Sequence, residues 1–387
     1  MSLSHVQVES FLERGFTRRQ LGRIASLLTA GAALPFYSEF SMAQDARRRT
    51  FGEDRSWMYA PDVIRIDQNE NPMGPCKEGL EAIAKIAPHG WRYSAHGEQQ
   101  EFMKALAESE GLKPEYVAAF AGSSDPLHRI ACAFTSPTRS WVMADPGYGG
   151  GAPEYIGSKC IRVPLASDYS HDVKAMLKAD PNAGVYYICN PNNPSGTVTS
   201  RQDIEYLLAN KSKDAIVLVD EAYLHFSDKV EKSTDLAGAD KDLIILRTFS
   251  KIYAMAGLRA GAAIARPDLL AKIRPYGPGF LPITGIACAT ASLKVPNLVP
   301  ERRALNKRIR DDVFAFLDKK NISFVPSQTN FFMMEVGRPG AEFAKAMVAE
   351  KIVIGRIWPI WPTKVRISIG TEEEMARFKA AVSKILV

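Results

Sequence analysis

Four short apolar runs constrain this chain most: Trp141-Val142-Met143-Ala144, Val185-Tyr186-Tyr187-Ile188-Cys189, Ile216-Val217-Leu218-Val219 and Leu243-Ile244-Ile245-Leu246. None alternates apolar with polar residues. Each therefore asks for cover on both faces, as strands of a parallel sheet between helices receive. Helix-patterned segments separate the runs. In one of them, residues 200–210, Ser200 offers an N-cap and Asp203 falls in the first turn. This succession predicts a wound, mostly parallel α/β sheet.

Ligands of such sheets gather beyond the carboxyl ends of the strands. Asn190 follows the second run, Asp220 the third, and Thr248-Phe249-Ser250-Lys251 the fourth. Three polar strand ends side by side predict a site. A partly buried lysine has a lowered pKa and attacks aldehydes. Thr248 and Ser250 before it, and Arg259 after it, are a set that holds phosphate oxygens. The pattern points to an aldehyde cofactor that carries a phosphate. Asp220 is read either as a turn cap or as the carboxylate that pairs with a protonated pyridine nitrogen. Tyr223, three residues after Asp220, could reach the ring's phenolic oxygen, and so could Asn193, held rigidly in the constrained strand-end loop Cys189–Thr197, although that loop also reads as a plain turn. Gly122-Ser123-Ser124 opens a helical pattern. It serves as an N-cap, as a phosphate site at a helix N-terminus, or as both.

After the sheet region, Leu305, Ile309, Val313, Phe316 and Leu317 recur at helical spacing within residues 299–320. Shorter strands follow at Phe331–Glu335 and Val365–Ile369. They predict a second, smaller α+β domain. The expected division is a leader over 1–43, an N-terminal arm over 44–74, a large cofactor domain over 75–295 and a small domain over 296–387. The arm is expected beside the small domain or against another subunit.

With 387 residues the chain is long enough for a sizeable core. Its net charge of +6 is dispersed, with no run of five like charges, and gives no sign of nucleic-acid binding. The five cysteines are odd in number and widely spaced, which argues against a zinc site or a disulfide framework. At the N-terminus, Thr17-Arg18-Arg19-Gln20-Leu21 precedes an apolar stretch over residues 24–36 and the small residues Ser41-Met42-Ala43. The order is that of a twin-arginine export signal. It predicts a periplasmic protein, with a cytoplasmic one as the alternative reading of a basic amphipathic helix. No segment is expected to insert stably in a membrane.

Asn193-Pro194-Ser195-Gly196, Asp220-Glu221-Ala222-Tyr223 and Ser250-Lys251 with Arg259, in this order, resemble the fold-type I pyridoxal-phosphate aminotransferases. Residues 69–75 and 365–371 are similar to the first and last signatures of the histidinol-phosphate aminotransferase branch. The resemblance spans about residues 64–386. It implies pyridoxal 5'-phosphate as cofactor, Lys251 as the Schiff-base lysine, Asp220 as the pyridine partner, and Tyr223 with Asn193 at the phenolic oxygen. It implies a phosphate cup of Gly122, Ser123, Ser124, Thr248, Ser250 and Arg259, and Tyr148 stacked on the ring. Arg366 then grips a substrate carboxylate, helped by Asn330. The partners implied are a small amino donor and a 2-oxo acid acceptor, worked by a ping-pong mechanism in a homodimer.

The chain departs from the branch in two places. Met73 stands where the branch carries a tyrosine that reaches the neighbouring subunit's cofactor. Trp358 and Trp361 stand just before Arg366, where they suggest an aromatic substrate. A decarboxylase or lyase on the same fold, or a binding protein that does no chemistry, remain the competing readings.

Overall fold

The computed structural model describes residues 3–30, 56–94, 96–277 and 280–386. The expected cleavage site at Ser41-Met42-Ala43 lies outside them. Strand β1 (Ile64–Ile66) precedes a central sheet of seven strands: β2 (Val117–Phe120), β3 (Trp141–Asp145), β4 (Cys160–Pro164), β5 (Val185–Cys189), β6 (Ile216–Asp220), β7 (Leu243–Thr248) and β8 (Gly261–Ile264). Their order across the sheet is β2-β8-β7-β6-β5-β3-β4. Only β8 runs against its neighbours, β2 and β7. The four apolar runs form β3, β5, β6 and β7, and every residue of the last three is buried. Burial on both faces is what their lack of alternation required.

Before and between the strands come α1 (His5–Glu13), α2 (Arg18–Ala30), α3 (Lys77–Ile86), α4 (Glu98–Glu110), α5 (Ser124–Phe134), α6 (Gly151–Ile156), α7 (Val173–Ala179), α8 (Arg201–Asn210) and α9 (Thr234–Gly238). Helices α10 (Pro267–Ile273) and α11 (Ile283–Leu293) follow the sheet. The hydroxyl of Ser200 accepts from the Asp203 N–H at the start of α8, the cap its sequence offered. Where β6 and β7 end, one buried charge cluster ties the sheet to α4. Arg247 donates to Glu110 at 3.2 Å and also to Glu221. Burial pushes the Glu110 carboxyl up, and the charges of Arg247 and Lys232 outweigh it, leaving the group below its usual range.

The long helix α12 (Leu298–Lys319) leads into the small domain: β9 (Phe324–Val325), β10 (Phe331–Glu335), α13 (Gly340–Ala349), β11 (Ile352–Ile354), β12 (Lys364–Ser368) and α14 (Glu372–Leu386). Strands β12, β10 and β9 form an antiparallel sheet. Strand β1 pairs in parallel with β11, and Ile64 and Ile66 join Phe332, Val365 and Ile367 in the small domain's core. The end of the expected N-terminal arm is thus an edge of the small domain.

Helices α1 and α2 fold down on the large domain. Phe11 and Ile24 are fully buried there, and Leu21, Leu27 and Leu28 lie in the same core as the sheet. Phe11 packs 5.7 Å from the Tyr276 ring. Arg14 donates to the carbonyls of Cys132 (2.7 Å) and Thr135. These are orphan acceptors at the C-terminal end of α5, where a cation also complements the helix dipole. Gln20 donates to the Gly157 carbonyl at 3.4 Å, and Ser26 shares a hydrogen bond with the Tyr155 hydroxyl at 2.8 Å. Arg18 and Arg19 face solvent. All five cysteines are free, and four of them are buried. Among the described residues no helix is long and apolar enough to cross a membrane, and no His, Cys, Asp or Glu cluster could hold a metal ion.

Candidate active site

Strands β5, β6 and β7 are neighbours, and their carboxyl ends bring Asn193, Asp220 and Lys251 to one edge of the sheet. Lys251 is half-buried. Its Nζ donates to the Gln68 carbonyl at 3.0 Å and stands 5.7 Å from the Tyr223 ring centre. Asp220 is 2% exposed. Its Oδ1 accepts from the Ala222 N–H at 3.1 Å and its Oδ2 from the Tyr187 hydroxyl at 3.0 Å. Burial, with Asp220 adding to it, raises the Tyr187 hydroxyl well above its ordinary range, so it remains a donor. Two fixed donors orient a carboxylate whose charge suits a protonated ring nitrogen.

The residues expected to form a phosphate cup come from three segments. Ser123 caps α5 without a side-chain hydrogen bond, so the N–H groups of its first turn have no partner from that cap. The Thr248 hydroxyl donates to Ser250 Oγ at 2.9 Å and accepts from the Ser250 N–H at 3.2 Å. Arg259, at φ +56°, donates to the carbonyls of Ala256 (2.8 Å) and Ala121 (3.0 Å). Burial lowers its pKa from the usual arginine range. Gly122, at φ +82°, lies so close that any side chain there would collide with the Arg259 guanidinium. A side chain at Gly261 would come within 2.5 Å of the Gly122 main chain. A backbone cradle, two hydroxyls, a helix N-terminus and a guanidinium match a phosphate dianion in shape and in charge. The residues present fit a cofactor with a phosphate at one end and a basic ring nitrogen at the other.

The roof comes from the small domain. Arg366 lies on β12 and is 2% exposed. It donates to Asn193 Oδ1 at 2.8 Å and to the Asp67 carbonyl at 3.0 Å. Its guanidinium carbon is 5.7 Å from the Phe331 ring centre and 5.5 Å from that of Trp358. Asn330 donates to the carbonyls of Asn69 (3.1 Å) and Glu70 (3.3 Å). Tyr223 accepts from Asn69 Nδ2 at 3.0 Å and meets Phe331 edge-on. Tyr148 is half-buried beside Gly149, whose Cβ position lies 3.4 Å from the Tyr187 ring. Met73 is 52% exposed. Trp358 is 2% exposed and bonded through its indole N–H to the Gly147 carbonyl, at 3.3 Å.

Sequence reasoning gave no role to Tyr187, Phe331 or the segment from Asp67 to Asn71. Tyr187 could have been found, because it lies two residues before Cys189, the cross-strand partner of Asp220. On a strand, that spacing returns it to the same face.

The family model for class I and II aminotransferases matches residues 61–382. The chain belongs to this family. A histidinol-phosphate aminotransferase 2 of Methylococcus capsulatus is 31% identical over 346 residues, which cover 84% of this chain and 91% of that one. A histidinol-phosphate aminotransferase of Symbiobacterium thermophilum is 30% identical, over 84% of this chain and 91% of that one. The crystal structure of histidinol-phosphate aminotransferase from Sinorhizobium meliloti with pyridoxal 5'-phosphate is 25% identical, with a TM-score of 0.73 over 89% of this chain and 94% of that one. The fold is therefore that of the fold-type I aminotransferases, and the protein is a pyridoxal-phosphate-dependent transaminase. Its cofactor is the phosphate-bearing aldehyde that the strand ends called for. The lyase and non-catalytic readings give way to transamination.

Proposed function

We propose that this aminotransferase exchanges an amino group between an amine of the histidinol-phosphate type and a 2-oxo acid, whose α-carboxylate is bound by Arg366. The observation that carries the reading is the fixed guanidinium, held by Asn193 and the Asp67 carbonyl above the strand ends that bear Lys251 and Asp220. A bidentate fork of this kind recognises a planar carboxylate. The cofactor supplies an electron-withdrawing ring that stabilises negative charge at the substrate's α-carbon. Lys251 Nζ would take the α-proton and deliver it to the cofactor's former aldehyde carbon in the same half of the exchange, and would carry a proton the other way in the second half. Asp220, held in place by Tyr187 and Ala222, would keep a proton on the ring nitrogen. Tyr223, whose ring centre is 5.7 Å from Lys251 Nζ, and Asn193, which accepts from Arg366, would orient the ring. The curated relatives support the phosphorylated amine. Trp358 is buried, which leaves the half-buried Trp361 as the indole that could meet an aromatic side chain. A panel of amino donors with 2-oxoglutarate as acceptor tests this, with histidinol phosphate and the aromatic amino acids side by side. Turnover of the aromatic amino acids in preference to histidinol phosphate would overturn the substrate reading.

Two further readings belong here. A homodimer is supported by family membership, and sedimentation of the holoenzyme checks it. Export through the twin-arginine route is supported by Arg18-Arg19, which stand exposed at the start of α2. Fractionation of cells that carry Arg18→Lys with Arg19→Lys tests it. An unchanged periplasmic fraction would sink it.

A further inference from the structure

We infer that Trp358 is a positioning residue for carboxylate recognition, and that it acts by locking Arg366 to the large domain. The inference rests on the reading of Arg366 given above. Trp358 and Trp361 close a short turn, in which the Trp361 N–H donates to the Trp358 carbonyl at 2.9 Å. Both rings then reach across to the large domain. The Trp358 N–H takes the Gly147 carbonyl, next to Tyr148, and Trp361 meets the Tyr169 ring edge-on at 5.5 Å. On its own side Trp358 packs with Val325 and Met333, and two guanidinium groups approach its ring, Arg366 at 5.5 Å and Arg356 at 4.7 Å. An indole face attracts a guanidinium and restrains its plane. The turn thus fixes the fork of Arg366 relative to the loop that carries Tyr148.

The test compares the best amino-acid donor of the panel with the amine left when its carboxylate is removed. Half-saturation and limiting rate are read from the visible absorbance of the holoenzyme. Trp358→Ala is expected to raise half-saturation for the amino acid roughly tenfold, with its limiting rate and the amine's constants little changed. Trp358→Phe keeps a ring and loses the N–H, and is expected to cost about threefold on the same constant. It also keeps the test open should the alanine variant fold poorly. Equal shifts for amino acid and amine, or no shift for either, overturn the inference. A wild type that does not distinguish amino acid from amine overturns the Arg366 reading and this one with it.

A separate observation carries a second inference. Leu21, Ile24, Leu27 and Leu28 of the expected leader lie buried on the folded enzyme, while its arginine pair faces out. The structure assigns to α1 and α2 a docked state that masks these residues until the helices lift off. A receptor that needs the apolar stretch sees only the undocked fraction, so its apparent affinity falls by that fraction. This inference rests on the export reading. Its test alters the receiving surface and leaves the leader sequence intact. Tyr276→Ser removes the ring beneath Phe11, and Tyr155→Phe removes the partner of Ser26. Trypsin cleavage of the full-length protein between Arg14 and Arg23 is expected to be slow in the wild type and roughly tenfold faster in the double variant, with a larger exported fraction. Wild-type cleavage as fast as that of a free peptide of residues 1–43 overturns docking. Faster cleavage without a rise in export overturns masking. Loss of export in the Arg18→Lys, Arg19→Lys chain is the separate check on the export reading.

Discussion

The floor and the roof of this active site are built by different means. The floor residues Asp220, Thr248, Ser250 and Lys251 stand at or just past the ends of adjacent parallel strands, and backbone pairing sets their places. The roof residues Arg366 and Asn330 are set by side-chain bonds to distant segments. Arg366 reaches 173 residues back to Asn193 and 299 back to Asp67. A floor made from main chain tolerates little change in its chemistry. A roof made from side-chain bonds can be retuned one contact at a time.

The sharpest way to break the comparison is at Lys251. Lys251→Ala should lower turnover by at least about 10⁴-fold, and borohydride should no longer fix the cofactor to the chain. Asp220→Asn keeps the shape and removes the charge. A loss of roughly 10²- to 10³-fold in kcat is expected, with little change in the half-saturation of a carboxylate substrate. At the roof the pattern should invert. Arg366→Lys gives up the planar fork, so the KM for a 2-oxo acid should rise roughly 10- to 100-fold, with a smaller effect on kcat. A fall in kcat alone would show that the roof works as floor. Asn69→Ala removes the donor to Tyr223 and should cost about fivefold, because Tyr223 keeps its place against Phe331.

Acid should sharpen the same division through stability. His128, His171 and His225 are buried in the large domain, which lowers their pKa values to about 4, 3 and 4. The small domain has no histidine. Unfolded histidines bind protons below about pH 6.5, whereas these three stay neutral until the pH is far lower. The unfolded chain therefore binds more protons in that window, and stability falls as pH falls from about 6.5 toward 4. At about pH 5 each contributes a loss of about 2 kcal/mol. Hydrogen exchange at that pH should rise across the central sheet before it rises in β10 and β12. Equal loosening of both domains would count against the assignment.

The floor was legible in the sequence because its signals are local. A buried strand announces itself by its apolar run, and the residue after it is the site residue. The long helix was read as residues 299–320 and runs Leu298–Lys319, since periodicity is also local. The roof was legible only through resemblance. Nothing near Arg366 in the chain says that Asn193 will hold it. Asn69 stood in a recognised motif without a role, because its partner Tyr223 is 154 residues away. The tryptophans show the same limit. Their closeness to Arg366 is local in the chain, whereas the Gly147 carbonyl that takes the Trp358 N–H lies 211 residues back. The expected leader, read as an export signal or a basic amphipathic helix, carries Phe11 and Ile24 on faces whose cover comes from residues over a hundred positions on.

One short span has a consequence for anyone who recombines this chain with its relatives. The Asp67 carbonyl takes Arg366, the Gln68 carbonyl takes Lys251, Asn69 donates to Tyr223, and Asn71 donates to the Ile252 carbonyl at 3.1 Å. This one span is thus read by both domains, by Arg366 of the small one at Asp67 and by Lys251, Tyr223 and Ile252 of the large one at Gln68, Asn69 and Asn71, just after β1 has joined the small domain. The exchangeable unit is therefore discontinuous. A chimera that swaps the small domain at the start of α12 must also bring residues 64–71 from the same parent, or it will assemble a roof whose main-chain acceptors belong to another protein.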